Sequence, residues 1–184
     1  DGLAQDLLKV ALLAISVTAA VGSLMLTMFI TLYPTFMQYM GGTFKVMMPL
    51  YALVFVGTTF LTIAYYYSWE RMAAPGLKWG HLSIGLLAIV FGTSLLLLAN
   101  AWSAFMMAPS GVDGQGRYLG NPWHLLRSAL WNPLNLHRFL ADIMSGGAVV
   151  LAYACYRFFT GKNQEERAYY DWVGYVFLFV TVCA

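Results

Sequence analysis

Charged residues are the scarcest feature of this sequence. Of its 184 residues only 10% are Asp, Glu, Lys or Arg, whereas a soluble domain carries roughly a quarter. Three stretches, 10–44, 46–69 and 79–112, contain no charged residue at all. Each exceeds the about 20 apolar residues that a helix needs to cross a bilayer. This deficit excludes a soluble domain of any size and predicts an integral membrane protein.

Cysteine is also rare, and its placement excludes two further classes. Cys155 and Cys183 lie in apolar stretches without C-x-x-C or C-x-x-C-H spacing, so neither a disulfide framework nor covalent c-type heme attachment is predicted. The net charge is only +2 and the basic residues are scattered, so we expect no nucleic-acid partner. The apolar run after Lys9 is too long for a signal peptide and predicts a membrane span instead.

The apolar runs predict an all-α membrane bundle of about five transmembrane helices, forming a single domain over residues 1–184. The expected helices cover 7–33, 45–68, 81–105, 134–159 and 168–184. Pro34 is expected to end the first helix, and 106–133, which is rich in Gly, Pro and Asn, to form a long loop. Because the sequence begins with Asp1 and stops within an apolar run, we expect a longer native chain whose last predicted helix is truncated here.

The distribution of basic residues predicts the orientation of this bundle. One side has six Lys or Arg and the other has four, which places the loop 106–133 on the outer side of a cytoplasmic membrane. The six are Lys9, Arg71, Lys78, Arg157, Lys162 and Arg167; the four are Lys45, Arg117, Arg127 and Arg138.

Histidine and intramembrane charge mark the candidate functional residues. His81 starts a predicted helix and reads as an interfacial polar residue, and His124 lies in the loop. His137 stands in the first turns of the fourth predicted helix, where a neutral imidazole is either a structural residue or an axial ligand of heme iron. Arg138 and Asp142 can pair at i, i+4 spacing. The carboxylate indicates either a structural ion pair near the interface or proton handling.

A series of short motifs connects residues 95–162 with a known family. In their order and spacing they resemble subunit I of the cytochrome bd quinol oxidases. The motifs are Ala99-Asn100-Ala101-Trp102, Pro109, Gly111, Asn132-Pro133, Ser145-Gly146 and Gly161-Lys162. Further upstream, 38–44 and Trp69-Glu70-Arg71 resemble the segment before the family's next helix and the exit of that helix. The resemblance covers the family's second to sixth transmembrane helices.

The resemblance implies that His137 is an axial ligand of a low-spin heme b. With Asn132-Pro133 and Arg138 held in register, the ligand position would fall on Ala141. With His137 as the ligand, the preceding segment is about one turn shorter than in the family, and Ser145-Gly146 aligns without a gap. A deletion before a membrane helix is less costly than one inside it, so we prefer the register with His137.

The family also carries glutamates that serve its oxygen-reducing hemes, and here this sequence differs. The nearest positions are Tyr51 and Thr59, and the predicted helix 45–68 contains no acidic residue. The family's first helix, which supplies a ligand to the oxygen-reducing site, has no counterpart in these residues. We therefore expect no oxygen-reducing site in this chain.

These observations predict a membrane electron-transfer subunit that passes electrons from quinol through heme b, as part of a quinol-oxidising complex in a bacterial-type inner membrane. Its expected partners are other membrane subunits, quinone and the lipid bilayer; the second axial ligand is not identified. One alternative is a heme-free scaffold subunit of a respiratory complex, which the missing acids favour. Another is a transporter or channel, for which Asp142 is the sole intramembrane candidate.

Overall fold

Helices account for nearly all of the backbone in the computed structural model, which describes residues 2–72 and 76–184. Pro75, in the connection after the second predicted helix, lies outside the described residues. The α-helices are α1 (Gly2–Leu32), α2 (Pro34–Thr43), α3 (Met47–Arg71), α4 (Lys78–Met107), α5 (Trp131–Thr160) and α6 (Gln164–Cys183), and a 3-10 helix covers Pro122–Arg127. The described residues form no strand beyond an isolated bridge between Val112 and Tyr118. The prediction of an all-α fold is confirmed.

Four of the described helices are long and apolar enough to cross a membrane: α1, α3, α4 and α5, with 31, 25, 30 and 30 residues. Even 25 residues rise about 37 Å, which exceeds the roughly 30 Å hydrocarbon core of a bilayer. The chain is therefore an integral membrane protein. The fifth predicted helix corresponds to α6, which begins at Gln164, has 20 residues and carries Glu165, Glu166 and Arg167 in its first turn.

Most helix bounds differ from the predicted ones by a few residues, and α2 is a helix that the sequence patterns do not predict. The α1 helix begins at Gly2 rather than near residue 7, and α5 begins at Trp131 rather than at 134. Pro34 does not lead into a loop, because it is the first residue of α2. Proline suits the first turn of a helix, because the backbone N–H that it lacks would have no hydrogen-bond acceptor within the helix at that position.

The chain divides into two compact units, one ending at Trp131 and the other running from Asn132 to Ala184. In the first unit the buried apolar side chains gather where α2, the start of α3, the last turns of α4 and the 3-10 helix meet. They are Met40, Phe44, Met47, Ala101, Phe105 and Leu125; we call them the end cluster. Through Leu125, the end cluster packs the segment 106–133, which the sequence predicts as a loop, against α2, α3 and α4.

The α3 and α4 helices pack closely because aromatic rings lie against glycines of the neighbouring helix. A Cβ atom on Gly57 would stand 2.5 Å from the Phe91 ring, and one on Gly85 would stand 2.8 Å from the Tyr65 ring. Small residues let membrane helices approach each other in this way. The remainder of both helices presents large apolar side chains outward, as lipid-facing surfaces require.

In the second unit α5 and α6 pack through Gly147, where a Cβ atom would stand 2.7 Å from Thr181 Oγ1. At the connecting turn, Arg157 Nη2 donates to Glu166 Oε1, and the Arg157 guanidinium lies 5.1 Å from the centre of the Tyr170 ring. The hydrogen bond from Arg157 holds the pKa of the Glu166 carboxyl below its usual range. This ion pair closes the α5–α6 turn.

Candidate functional site

The predicted ligand His137 lies in the second turn of α5. The helix starts with Trp131, whose backbone N–H donates to the Ser128 carbonyl at 3.0 Å. Pro133 occupies the first turn, where proline is favourable. The side chain of His137 is exposed, so it does not pack against α6. The imidazole is available to a group outside this unit.

Small side chains share the face of α5 that carries His137. At about 100° per residue, Ala141, Ser145 and Ala148 all fall within about 80° of His137 around the helix axis. None of the three is buried. Leu140 and Met144 also fall within about 60° of His137 and are exposed. This face, which we call the histidine face, thus has an imidazole at one end and a mixture of small and large side chains over the next three turns.

A flank of α5 beside the histidine face contacts α6. Its two buried residues are Gly147 and Ala154, and helical periodicity places both about 80° to 100° from His137, on the side away from Ser145. The histidine face is therefore distinct from the surface that holds the unit together. Substitution of His137 itself should leave the α5–α6 contact intact, because its side chain is exposed.

Arg138 and Asp142 are not joined to His137 or to each other. Both are exposed, and the two ion pairs within 4.0 Å in the described residues are Lys9–Asp6 and Arg157–Glu166. Asp142 lies about 140° around the helix from His137. The pairing of Arg138 with Asp142 that the spacing allows is absent here, and the carboxylate stands on a different face from the imidazole.

His81 has partners that explain it as a structural residue. Its ring stacks on Tyr65 with 4.1 Å between centroids and meets Trp69 edge-on at 5.1 Å. Its Nδ1 is 2.9 Å from Ser68 Oγ. These contacts hold the start of α4 against the end of α3.

His124 is packed within the loop rather than extended into solvent. Ser110 Oγ donates to the His124 carbonyl. Gly111 has a φ of 72°, and a Cβ atom there would stand 2.6 Å from His124 Cβ. Glycine provides both the left-handed backbone and the space. The Nδ1 atom of His124 is buried and has no hydrogen-bond partner among the described residues.

Tyr51 and Thr59, which the resemblance places nearest to the family's glutamates, lie on α3. Tyr51 is exposed, and Thr59 is half-buried with Oγ1 donating to the Phe55 carbonyl at 3.0 Å. The single carboxylate of α3 among its described residues is Glu70, which is exposed in the last turn. Neither Tyr51 nor Thr59 supplies an acidic proton carrier within the span.

Sequence reasoning did not identify the end cluster, although several of its residues carried the family resemblance. Asn100 and Ala101 are fully buried, and the Trp102 ring lies 5.2 Å from that of Phe44. Ser128 Oγ donates to the Ala108 carbonyl at 2.9 Å. The apolar residues of 40–47 are the signal that could have revealed the cluster. The two glycines in the same segment suggest a linker instead, and this is why the cluster was not predicted.

Comparison with known proteins agrees with this architecture. The family described as cytochrome bd terminal oxidase subunit I has a sequence model that matches residues 2–184. No curated protein matches the chain, and no solved structure does. The family match covers every residue except the first, and it confirms the resemblance carried by the motifs between 95 and 162. The chain therefore belongs to the cytochrome bd terminal oxidase subunit I family, and it is a membrane subunit of an electron-transfer oxidase.

Proposed function

We propose that this subunit passes electrons from quinol through one b-type heme, for which His137 is an axial ligand. The observation that carries the proposal is an exposed imidazole on α5 within a chain that matches the oxidase family over residues 2–184. Quinol is the proposed electron donor, and other membrane subunits complete the complex. The second axial ligand comes from outside the described residues or from a partner.

The residues of the histidine face suit a heme. A porphyrin needs a neutral imidazole with an accessible ring nitrogen, and His137 is exposed. Ala141, one turn along the helix from His137, leaves room beside the ligand, and Met144, two turns along, adds an exposed apolar side chain on the same face. When bound, the heme supplies one-electron transfer. Arg138, the adjacent cation, suits a propionate carboxylate as a charge-assisted hydrogen-bond donor.

We further propose that the chain has no oxygen-reducing site of its own. The span of α3 offers Tyr51 and Thr59 where the family has glutamates, and the Thr59 hydroxyl already donates to its own helix. Proton delivery to oxygen requires groups that can release and regain a proton. Oxygen reduction then belongs to another part of the complex.

The rival proposal is a heme-free scaffold subunit, which the same missing acids favour. It accounts for the membrane fold and the family match but leaves the imidazole of His137 without a function. A transporter has less support, because Asp142 is an exposed carboxylate on a single helix, and that helix is continuous over all of its described residues. The heme proposal and the scaffold proposal both place the subunit in a bacterial-type inner membrane with the loop 106–133 on the outer side.

A reduced-minus-oxidised absorption spectrum of the purified complex tests the heme proposal. The wild type should show a b-type band, and His137→Ala should abolish it while the complex remains folded in the membrane. His81→Ala is the matched control, because His81 is held by Ser68 and Tyr65; it should leave the band unchanged. A normal spectrum in His137→Ala would establish that another residue ligates the heme, and a wild type without any band would establish the scaffold.

A further inference from the structure

A cleft of about 750 Å³ opens on the first unit, between the start of α4 and the second half of α3. The α4 side contributes Trp79, Ser83 and Ile89, the α3 side contributes Thr62 and Tyr65, and further lining residues are Leu8, Leu82 and Leu86. All of its lining residues belong to the first unit, and none of them belongs to the histidine face.

The length and polarity of the cleft fit a hydrocarbon chain. From Trp79 to Ile89 the α4 wall rises about 15 Å, which is half of the roughly 30 Å core and equals one leaflet. The hydroxyls of Thr62 and Ser83 donate to their own helices, to the carbonyls of Thr58 and Trp79 at 2.8 Å. Neither hydroxyl has a proton left for a quinone carbonyl. The other polar groups of the lining are the Tyr65 hydroxyl and the Trp79 indole N–H, and the remaining walls are apolar, which favours an acyl chain.

The mouth of the cleft carries positive charge. Arg71 ends α3 and Lys78 begins α4, and both are exposed. Nearby on α1, Lys9 and Asp6 pair with each other at 3.1 Å, so their charges cancel. Among the described residues at the end of α3 and the start of α4, Glu70 is then the carboxylate that offsets part of the charge of Arg71 and Lys78. Trp79 beside Lys78 is 78% exposed, as an aromatic residue at the headgroup level would be. Basic residues attract anionic lipids.

We propose that this cleft binds one anionic phospholipid, with an acyl chain along α4 from Trp79 to Ile89 and the phosphate near Lys78 and Arg71. The ligand is recognised by two features at once: an apolar slot one leaflet long and a cationic mouth at the membrane surface. Neither feature depends on heme or quinol.

Native mass spectrometry of the chain purified in mild detergent, titrated with phosphatidylglycerol or phosphatidylcholine, tests this site. Ser83→Trp fills the cleft and should remove the tightly held phosphatidylglycerol. Its control is Ser16→Trp, because Ser16 is also exposed and also donates to its own helix, but on α1 outside the cleft. This control should bind phosphatidylglycerol like the wild type.

A charge variant separates the mouth from the slot. Lys78→Gln should weaken phosphatidylglycerol binding roughly fivefold, the effect of one basic residue near a membrane surface, and leave phosphatidylcholine binding unchanged. Lys45→Gln, before α3 at its other end, should change neither. Equal binding in Ser83→Trp and Ser16→Trp, equal affinity of the wild type for both lipids, or an isoprenoid quinone recovered from the cleft would each overturn the proposal.

Discussion

Leu125 anchors the connection between α4 and α5, and its truncation tests the end cluster directly. It is the buried residue of the 3-10 helix, with 0% of its surface exposed, and it packs with Met40, Phe44 and Phe105. Leu119 in the same connection is 61% exposed. Leu125→Ala and Leu119→Ala therefore delete the same atoms from a buried and an exposed position.

The burial sets the size of the effect. A fully buried leucine replaced by alanine costs about 3 kcal/mol, within the range of 2–5 kcal/mol for such changes, because the transfer free energy of the deleted atoms is lost and a cavity is created. Since roughly 1.4 kcal/mol corresponds to a factor of ten, the open form of the connection should become about a hundredfold more populated. The Leu119→Ala change should move this population by less than about a factor of three, as surface substitutions usually do.

Hydrogen–deuterium exchange of the backbone amides measures this population. The informative amides are those of Asp113, which donates to the Arg117 carbonyl at 2.9 Å, and of His124, which donates to the Asn121 carbonyl at 3.0 Å. Both should exchange about a hundredfold faster in Leu125→Ala, within the limit of the wild-type opening energy. Exchange that is no faster than in Leu119→Ala would refute the argument that the end cluster holds the connection.

Three further outcomes are expected. Gly114→Cys, in a background with Cys155→Ser and Cys183→Ser, should react with a membrane-impermeant thiol reagent in intact cells, because Gly114 is exposed with nothing within 4 Å of its Cβ position; labelling only after lysis would reverse the orientation. The purified chain with reduced quinol should consume no oxygen above background, and a substantial rate would disprove the missing oxygen site. The pKa of Glu166 is lowered in the folded chain, so its ion pair stabilises the α5–α6 turn above the usual carboxyl pKa, and this stabilisation is lost as pH falls through the lowered pKa. Glu166→Gln should thus speed amide exchange in 161–167 at neutral pH and have no effect in acid, whereas Glu165→Gln should have none at either pH.

The membrane helices could be predicted because a folded chain rarely lacks charge over more than 20 residues unless that segment crosses a bilayer. The ends of these helices could not be predicted, because a charged residue in an otherwise apolar sequence suggests that the helix has ended and a loop has begun. Asp6 and Lys9 lie inside α1, where they pair at 3.1 Å, and Arg71 and Lys78 are the last and first residues of their helices. Long basic side chains reach the headgroup level from within a helix. A charged residue therefore marks the interface, which coincides with the helix end at Arg71 and Lys78 but not at Asp6 and Lys9.

The α2 helix shows how local signals compete with packing. Pro34 and Gly41-Gly42 suggest breaks in the helix, but proline is favourable in the first turn. The cost of two glycines near a helix end is modest, about 1 kcal/mol each relative to alanine. Burial of Met40, with 1% exposed, offsets much of this cost. Several residues that pack with Met40 in the end cluster, Ala101, Phe105 and Leu125, lie far along the chain, where local periodicity cannot reveal them.

The histidine face could be predicted in part. Helical spacing alone places His137, Ala141 and Ser145 on one side of α5, and the structure adds that none of them is buried within its unit. The occupant of the face does not follow from spacing, because an exposed imidazole suits both a cofactor and a neighbouring helix. The two proposals for the subunit therefore differ in what covers this one surface.

Replacing His137 with leucine separates these proposals by the sign of a stability change. In a scaffold without heme, the imidazole faces hydrocarbon or another apolar helix, where an unsatisfied polar group costs about 1–3 kcal/mol. His137→Leu would remove that cost and raise the thermal stability of the complex. In a heme subunit the same change removes an iron ligand, and the complex loses the stabilisation that a bound cofactor contributes. His137→Leu should then lower the midpoint of thermal unfolding and, with it, the heme content. A midpoint that rises, in a complex whose heme content does not change, would assign the subunit to the scaffold class.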